Sequence, residues 1–203
     1  MHIRLITAFF TIMCVGMGPI SALANNIVIN FDDLTAGAVP TGYQGLTWGT
    51  STDSPSIGGA TGYWDVTSNT FFVTPHSGPN DVHNAYAVDN LWFSFPGPVD
   101  FEGAWFSKFN LGGISASQVR FTDNLGHTSA WLDLTTTPQF LSANFVGAAT
   151  ITVERLAPVG ISIPNYAMDD ITYDTTAVPE PTSLLLLGTG LGGLALAAWR
   201  RRK

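Results

Sequence analysis

Two pairs of adjacent aspartates could do metal chemistry: Asp32-Asp33 and Asp169-Asp170. Each pair stands between apolar residues, in the stretches FDDL and MDDI. Ca²⁺ takes about six to eight oxygen ligands, and carboxylates from distant segments supply them when the fold brings those segments together. The four aspartates therefore predict a calcium site, on the condition that the first and last strands of the domain are neighbours.

A second interpretation of the aspartate pairs needs no metal. Aspartate side chains in loops accept hydrogen bonds from nearby backbone N–H groups and so stabilise turns. The spacing also has a geometric consequence, because residues three apart in a regular strand face opposite sides of the sheet. Each stretch therefore either buries apolar residues on both faces or carries a β-bulge at its acids.

Three further sets of residues have the types that metal or acid–base chemistry needs. His76, Asp81 and His83 are zinc-ligand types, but their spacing matches no zinc motif and a polar loop explains it. Asp65 or Glu102 could pair with a second carboxylate for glycoside hydrolysis, although no carboxyl separation can be obtained from sequence. The G-x-S-x-G nucleophile motif does not occur in the chain. We predict no catalytic residues and no enzyme activity.

Tyr63 and Trp64 stand in an irregular, loop-like region and are the best candidates for stacking on sugar rings. The alternative is that they fill the core, as most aromatic residues of a β-sandwich do.

The elements that must position these residues are short strands separated by Gly- and Pro-rich turns. No helical periodicity is evident between residues 25 and 177, and the stretch YAMDDITYD closes the domain. The pattern predicts an all-β fold with one sandwich. The predicted strands are Ile27–Phe31, Gly45–Gly49, Thr70–Thr74, Asn90–Phe95, Asp100–Phe109, Ser117–Asp123, Ser129–Leu134 and Ala149–Leu156.

The charge of the region 25–177 is strongly negative. It holds three Lys and Arg residues against fourteen Asp and Glu residues, a net charge of −11, whereas the whole chain carries −7. A surface of this sign disfavours nucleic acid and favours cations or neutral ligands. The single cysteine, Cys14, precedes the domain, so no disulfide is expected.

Residues 1–24 have the pattern of a secretory signal peptide. Arg4 precedes an apolar stretch, and Ala22-Leu23-Ala24 provides an A-x-A cleavage site before Asn25. We therefore expect export of the domain 25–177.

The segment 178–203 has the pattern of a membrane anchor with a processing site. It begins with Val178-Pro179-Glu180-Pro181, continues with an apolar run that predicts a transmembrane helix over 182–199, and closes on a basic tail. Lys and Arg at the end of a span favour the cytoplasmic side of the membrane. The tail residues are Arg200, Arg201, Arg202 and Lys203.

The order of these three parts resembles the PEP-CTERM sorting signal of Gram-negative bacteria. The resemblance implies a transient inner-membrane anchor with a cytoplasmic C-terminus, cleavage by an exosortase, and release to the cell surface or extracellular matrix. It also implies an association with exopolysaccharide and biofilm formation.

The stretch INFDDL with GYQGLTW resembles the secreted jelly-roll modules that often precede such signals. Some of those modules look like carbohydrate-binding sandwiches in which terminal strands lie side by side and acids hold Ca²⁺.

Three functions remain open from the sequence. The first is a non-enzymatic, exported surface or matrix protein with a β-sandwich that interacts with extracellular polysaccharide; a structural calcium ion is a separate expectation. The second is a structural or adhesive matrix protein without a ligand site. The third is a secreted enzyme that acts on polysaccharide. None of the three involves nucleic acid.

Overall fold

The computed structural model describes residues 25–54, 60–68, 73–110, 113–160 and 163–175. They fall within one compact unit, Asn25–Thr176. The predicted signal peptide, sorting motif, transmembrane helix and basic tail lie outside the described residues. None of the described residues forms a helix long and apolar enough to cross a membrane.

The described part of the chain is built from ten strands and two short 3-10 turns, Tyr43–Gly45 and Ala85–Ala87. All pairings between these strands are antiparallel. The strands are β1 (Asn26–Ile29), β2 (Gly37–Ala38), β3 (Thr47–Trp48), β4 (Trp64–Ser68), β5 (Asn80–Asn84), β6 (Leu91–Ser107), β7 (Gln118–Asp123), β8 (Leu132–Asp133), β9 (Gln139–Leu156) and β10 (Ala167–Thr175).

The two long strands, β6 and β9, fold the sheet into two layers. Phe93 and Phe101 both belong to β6, and their ring centroids are 6.0 Å apart. Eight residues of straight strand would separate them by about 26 Å, because a strand rises about 3.3 Å per residue. The strand therefore bends sharply between them, where Pro96 and Pro98 lie and the register with β9 shifts. The all-β sandwich prediction is confirmed.

The strand order along the sheet is β2-β4-β5-β10-β6-β9-β7-β8, with β1 beside β10 and β3 beside β6. The core between the layers is aromatic. Trp64 packs against both Phe93 and Tyr166, with ring centroids 6.3 Å and 6.2 Å away. Phe101 packs edge-on against Phe121 at 4.9 Å. This core fixes the position of β10, which is buried from Ala167 to Tyr173.

The first and last strands are neighbours, which meets the condition set for a calcium site. Asn26 pairs with Asp174 and Ile29 pairs with Ile171. On the same edge of β10, β5 pairs earlier, at Ala167 and Met168. Between the two partners β10 carries an irregularity at Asp169 and Asp170, and Asp170 has a φ of +47°. Both alternatives considered for this stretch occur together: a bulge lies at the acids, and Met168 and Ile171 on either side of them are both buried.

Candidate functional site

Four aspartates from three segments gather beside the bulge of β10: Asp32, Asp81, Asp169 and Asp170. We call them the acid cluster. Asp32 follows β1, Asp81 lies in β5, and the other two lie in β10. Asp81 and Asp169 line the same narrow crevice, and Asp32 and Asp170 are both close enough to Asp169 to raise its pKa.

The segment 75–79 holds the β10 side of the acid cluster. The backbone N–H of Ser77 donates a hydrogen bond to Oδ2 of Asp169 (2.8 Å), and its hydroxyl donates to Oδ1 of Asp170 (2.8 Å). Nδ1 of His76 lies 2.5 Å from Oδ2 of Asp170. The His76 ring stacks on Trp105 with centroids 3.5 Å apart and planes 8° from parallel. The stack anchors this segment to β6.

Asn80 and Gly78 hold the Asp32 side. The side-chain amide of Asn80 is buried and donates to the carbonyls of Phe31 (3.2 Å) and Leu34 (2.8 Å), which shapes the turn after β1. The backbone N–H of Asn80 donates to Oδ1 of Asp32 (3.2 Å). A Cβ atom at Gly78 would overlap the Asp32 carboxylate, so only glycine permits this approach.

Asp81 is the unusual member of the acid cluster. It is 1% exposed, and neither carboxyl oxygen has a hydrogen-bond partner among the described residues. Burial, with a further contribution from Asp169, raises its pKa to about 8. Burial is also the main cause that raises the pKa of Asp169 to about 7, with Asp170 and Asp32 adding to it against the hydrogen bond from Ser77. A buried carboxyl group without partners requires either a proton or a cation.

Asp33, the fourth residue of the predicted calcium site, takes a different partner. Its side chain is exposed and accepts a 2.6 Å hydrogen bond from the hydroxyl of Tyr43. Burial and this hydrogen bond raise the pKa of Tyr43 to about 12. The structure thus brings together Asp32, Asp169 and Asp170 from the predicted set, and it adds Asp81.

Among the described residues, no three His, Cys, Asp or Glu side chains form a ready-made metal cage. The carboxylates of Asp32, Asp169 and Asp170 are held by Asn80, Ser77 and His76. A calcium ion in the acid cluster would therefore exchange some of these hydrogen bonds for metal contacts.

The residues considered for zinc do not come together. His76 and Asp81 line the crevice, whereas Nδ1 of His83 lies 2.7 Å from the Thr67 hydroxyl on β4.

The two further acids considered for hydrolysis belong to separate environments. Asp65 lies on β4, with its Oδ2 3.7 Å from Nε2 of His83. Glu102 lies on β6 and accepts a 3.5 Å hydrogen bond from Asn26.

The sugar-stacking prediction is wrong for Trp64. Its side chain is 1% exposed, its indole N–H donates to the carbonyl of Trp92 (3.0 Å), and its ring packs in the core. A ring enclosed in this way has no face available to a sugar, so the core interpretation holds for this residue. Tyr63 is half-buried, and its ring meets that of Tyr86 edge-to-face at 6.0 Å. The sequence did not single out Tyr86.

Comparison with known proteins identifies the C-terminal segment. Residues 177–203 match the family described as the PEP-CTERM protein-sorting motif. The sequence matches no curated protein.

Several solved β-domains resemble the fold distantly. The cleaved K2 adhesin domain of Lys-gingipain is 11% identical and has a TM-score of 0.48; the match covers 73% of this chain and 99% of that one. The CBM22-1 xylan-binding domain of Paenibacillus barcinonensis Xyn10C is 11% identical and has a TM-score of 0.46, with coverage of 78% and 99%. The tandem CBM22-1-CBM22-2 domain of the same protein is 14% identical, with a TM-score of 0.46 and coverage of 80% and 50%.

Proposed function

We propose that this protein is a non-enzymatic component of the cell surface or extracellular matrix, that it associates with exopolysaccharide, and that a calcium ion completes its β-sandwich. The chain carries the PEP-CTERM sorting motif at residues 177–203, which marks an exported protein processed by an exosortase. This motif is the observation that carries the proposal.

Export and processing follow one route in this proposal. The leader 1–24 directs the chain across the inner membrane, and the span 182–199 holds it there with the basic tail in the cytoplasm. Exosortase then cuts near Val178–Pro181. The two prolines of the motif support cleavage, because they disfavour helix and keep the segment extended. Mass spectrometry of the extracellular protein tests this step.

The chemistry of the acid cluster supports calcium. Its side-chain donors are carboxylate oxygens, which Ca²⁺ prefers, and they come from β5, β10 and the turn after β1. Asp81, Asp169, Asp170 and Asp32 would hold the ion. The unpaired, buried carboxyl group of Asp81 is the strongest sign of a missing partner. A bound cation would offset the repulsion among the four acids and join both ends of the domain's chain.

Burial argues against an enzyme. Two carboxyl groups with raised pKa values also occur in glycosidases, where one of them is the general acid. Both carboxyl oxygens of Asp81, however, are buried at the base of a narrow crevice, which leaves no room for a sugar ring beside them. Asp65 and Glu102 lie on different strands with different partners.

A further inference from the structure

The loop that follows β5 holds an unusual backbone. Tyr86, Ala87 and Asn90 have φ values of +58°, +54° and +56°. The left-handed conformation is unfavourable for a non-glycine residue, so three such residues within five positions persist only where the surroundings hold them. Strain of this kind concentrates at ligand-binding sites.

Three side chains hold the loop in place. Ser54 donates its hydroxyl to the carbonyl of Tyr86 (2.7 Å), and the buried guanidinium of Arg155 donates to the carbonyl of Ala87 (2.8 Å). The side-chain amide of Asn90 donates to Oδ2 of Asp53 (3.2 Å). These bonds come from distant segments, so the loop is fixed by the tertiary fold rather than by its own sequence.

The fixed loop presents an aromatic corner, which we define as the rings of Tyr63 and Tyr86. The ring planes meet at 82° with centroids 6.0 Å apart, and Tyr86 is 45% exposed. In this edge-to-face arrangement one ring points its edge at a face of the other, and the exposed part of Tyr86 is what a ligand can reach. A cation is attracted to such a face when it lies within about 6 Å of the ring centroid.

The surroundings of the aromatic corner are acidic. Asn90 donates hydrogen bonds to two acids, to Asp53 from its side-chain amide and to Asp89 from its backbone N–H. A third acid, Asp65, is two residues from Tyr63 in the chain. Arg155 is the positive group nearby, and it is buried beside Asp89. The domain as a whole carries fourteen acids against three Lys and Arg residues. An acidic glycan would be repelled here, whereas a cationic one would be attracted.

We propose that the aromatic corner binds a protonated amine of an amino-sugar polymer, that is, a glycan with free hexosamine groups. The ammonium group lies over a tyrosine face and beside the carboxylates, and the apolar face of the sugar ring packs on the other tyrosine. This inference rests on the proposed association with polysaccharide, and it names the class of glycan and the site that takes it.

The test uses two oligosaccharides that differ at one group. A glucosamine hexamer and an N-acetylglucosamine hexamer are titrated into the exported, processed protein at pH 6 and followed by calorimetry. We expect the glucosamine hexamer to bind at least about tenfold more tightly, the equivalent of about 1.4 kcal/mol. Tyr86→Ala should weaken that binding about fivefold or more, and Tyr86→Phe should retain it, because the ring remains.

A charge control separates the site from general attraction to an acidic domain. Asp133→Asn removes one exposed acid on β8 and should leave the affinity within about twofold, while Tyr86→Ala removes no charge. Unchanged binding by a folded Tyr86→Ala protein, or equal competition by polylysine, would overturn the inference. If both hexamers bind equally and Tyr86→Ala weakens both, the proposed recognition of the amine is wrong, but the association with polysaccharide stands. If the protein binds neither hexamer and no neutral glycan, the proposed association with polysaccharide is itself wrong.

Discussion

Nδ1 of His76 lies 2.5 Å from Oδ2 of Asp170, although the two residues are 94 positions apart in the chain. The contact ties an irregular segment to the bulge of the last strand. Ser77, the next residue, bonds both Asp169 and Asp170. The acid cluster is therefore assembled by the whole fold, so a ligand that binds there stabilises the whole domain.

Calcium should raise the melting temperature of the recombinant domain 25–177, and EDTA should lower it. An ion that binds only the folded state adds RT ln(1 + [L]/Kd) to the free energy of unfolding, about 2.7 kcal/mol at a hundredfold excess over Kd. For a domain of this size, that is a shift of roughly 5–10 °C. Asp81→Asn, Asp169→Asn and Asp170→Asn should each reduce the shift measured by calorimetry.

Asp33→Asn is the matched control, because its carboxylate lies next to Asp32 in sequence but bonds Tyr43. Its calcium response should equal that of the unaltered domain. A melting temperature that ignores both calcium and EDTA would reject the metal, and the aspartates would then be turn-forming groups.

The stability of the calcium-free domain should fall as the pH rises from 5 to 8. The folded-state pKa of Asp81 is about 8 and that of Asp169 is about 7, both above the ordinary value of 3.8. Between pH 4 and the raised values, the folded state keeps protons that the unfolded state has lost, so the free energy of unfolding decreases with pH. Urea unfolding in EDTA at several pH values measures this slope.

Asp81→Asn removes one titrating group and isolates its contribution, since other groups are common to both proteins. The buried His83 has a lowered pKa and opposes the trend by favouring the folded state as the pH rises through about 6.5. Without the Asp81 carboxyl group, the free energy of unfolding of Asp81→Asn should decrease less steeply with pH than that of the unaltered domain. An unchanged slope in this variant would mean that Asp81 is ionised in the calcium-free protein.

The aspartate pairs show how far sequence reasoning reaches. Their approach depended on the first and last strands being neighbours, and β1 does pair with β10. Asp81 was not predicted as part of the calcium site, because its place there depends on the pairing of β5 with β10. No local pattern in the sequence encodes that pairing.

The strand β5 was not predicted from the sequence and the strand β6 was predicted as two strands, and both differences have physical reasons. Asn and Asp are disfavoured in strands, so the stretch NDVHN of β5 looked like part of an irregular region. The fold offsets this by bonding the buried amides of Asn80 and Asn84 to backbone carbonyls. Pro96 and Pro98 suggested two separate strands, but they lie where the register between β6 and β9 shifts, so little of the ladder is lost.

Processing should leave two defined ends on the extracellular protein. We expect mass spectrometry to find the N-terminus at Asn25, after Ala22-Leu23-Ala24, and a C-terminus between Pro179 and Thr182. A reporter fused after Lys203 should behave as cytoplasmic in cells that lack the exosortase, because the basic tail holds that end inside. Mature surface protein that still carries Arg200–Lys203 would contradict the processing step.

Gly78→Ala should disturb the acid cluster without changing any charge. The added Cβ would overlap the Asp32 carboxylate, and the φ of +47° at this position disfavours any side chain.

Gly126→Ala is a control for the backbone effect, because Gly126 also has a positive φ (+89°) but nothing lies within 4 Å of the added atom. We expect both variants to lose about 1 kcal/mol of stability from the backbone, and Gly78→Ala to lose a further 1–2 kcal/mol or so from the displaced carboxylate. Only Gly78→Ala should also reduce the calcium-induced shift in melting temperature. Equal calcium responses in the two variants would place Asp32 outside the calcium site and leave Asp81, Asp169 and Asp170 as its carboxylates.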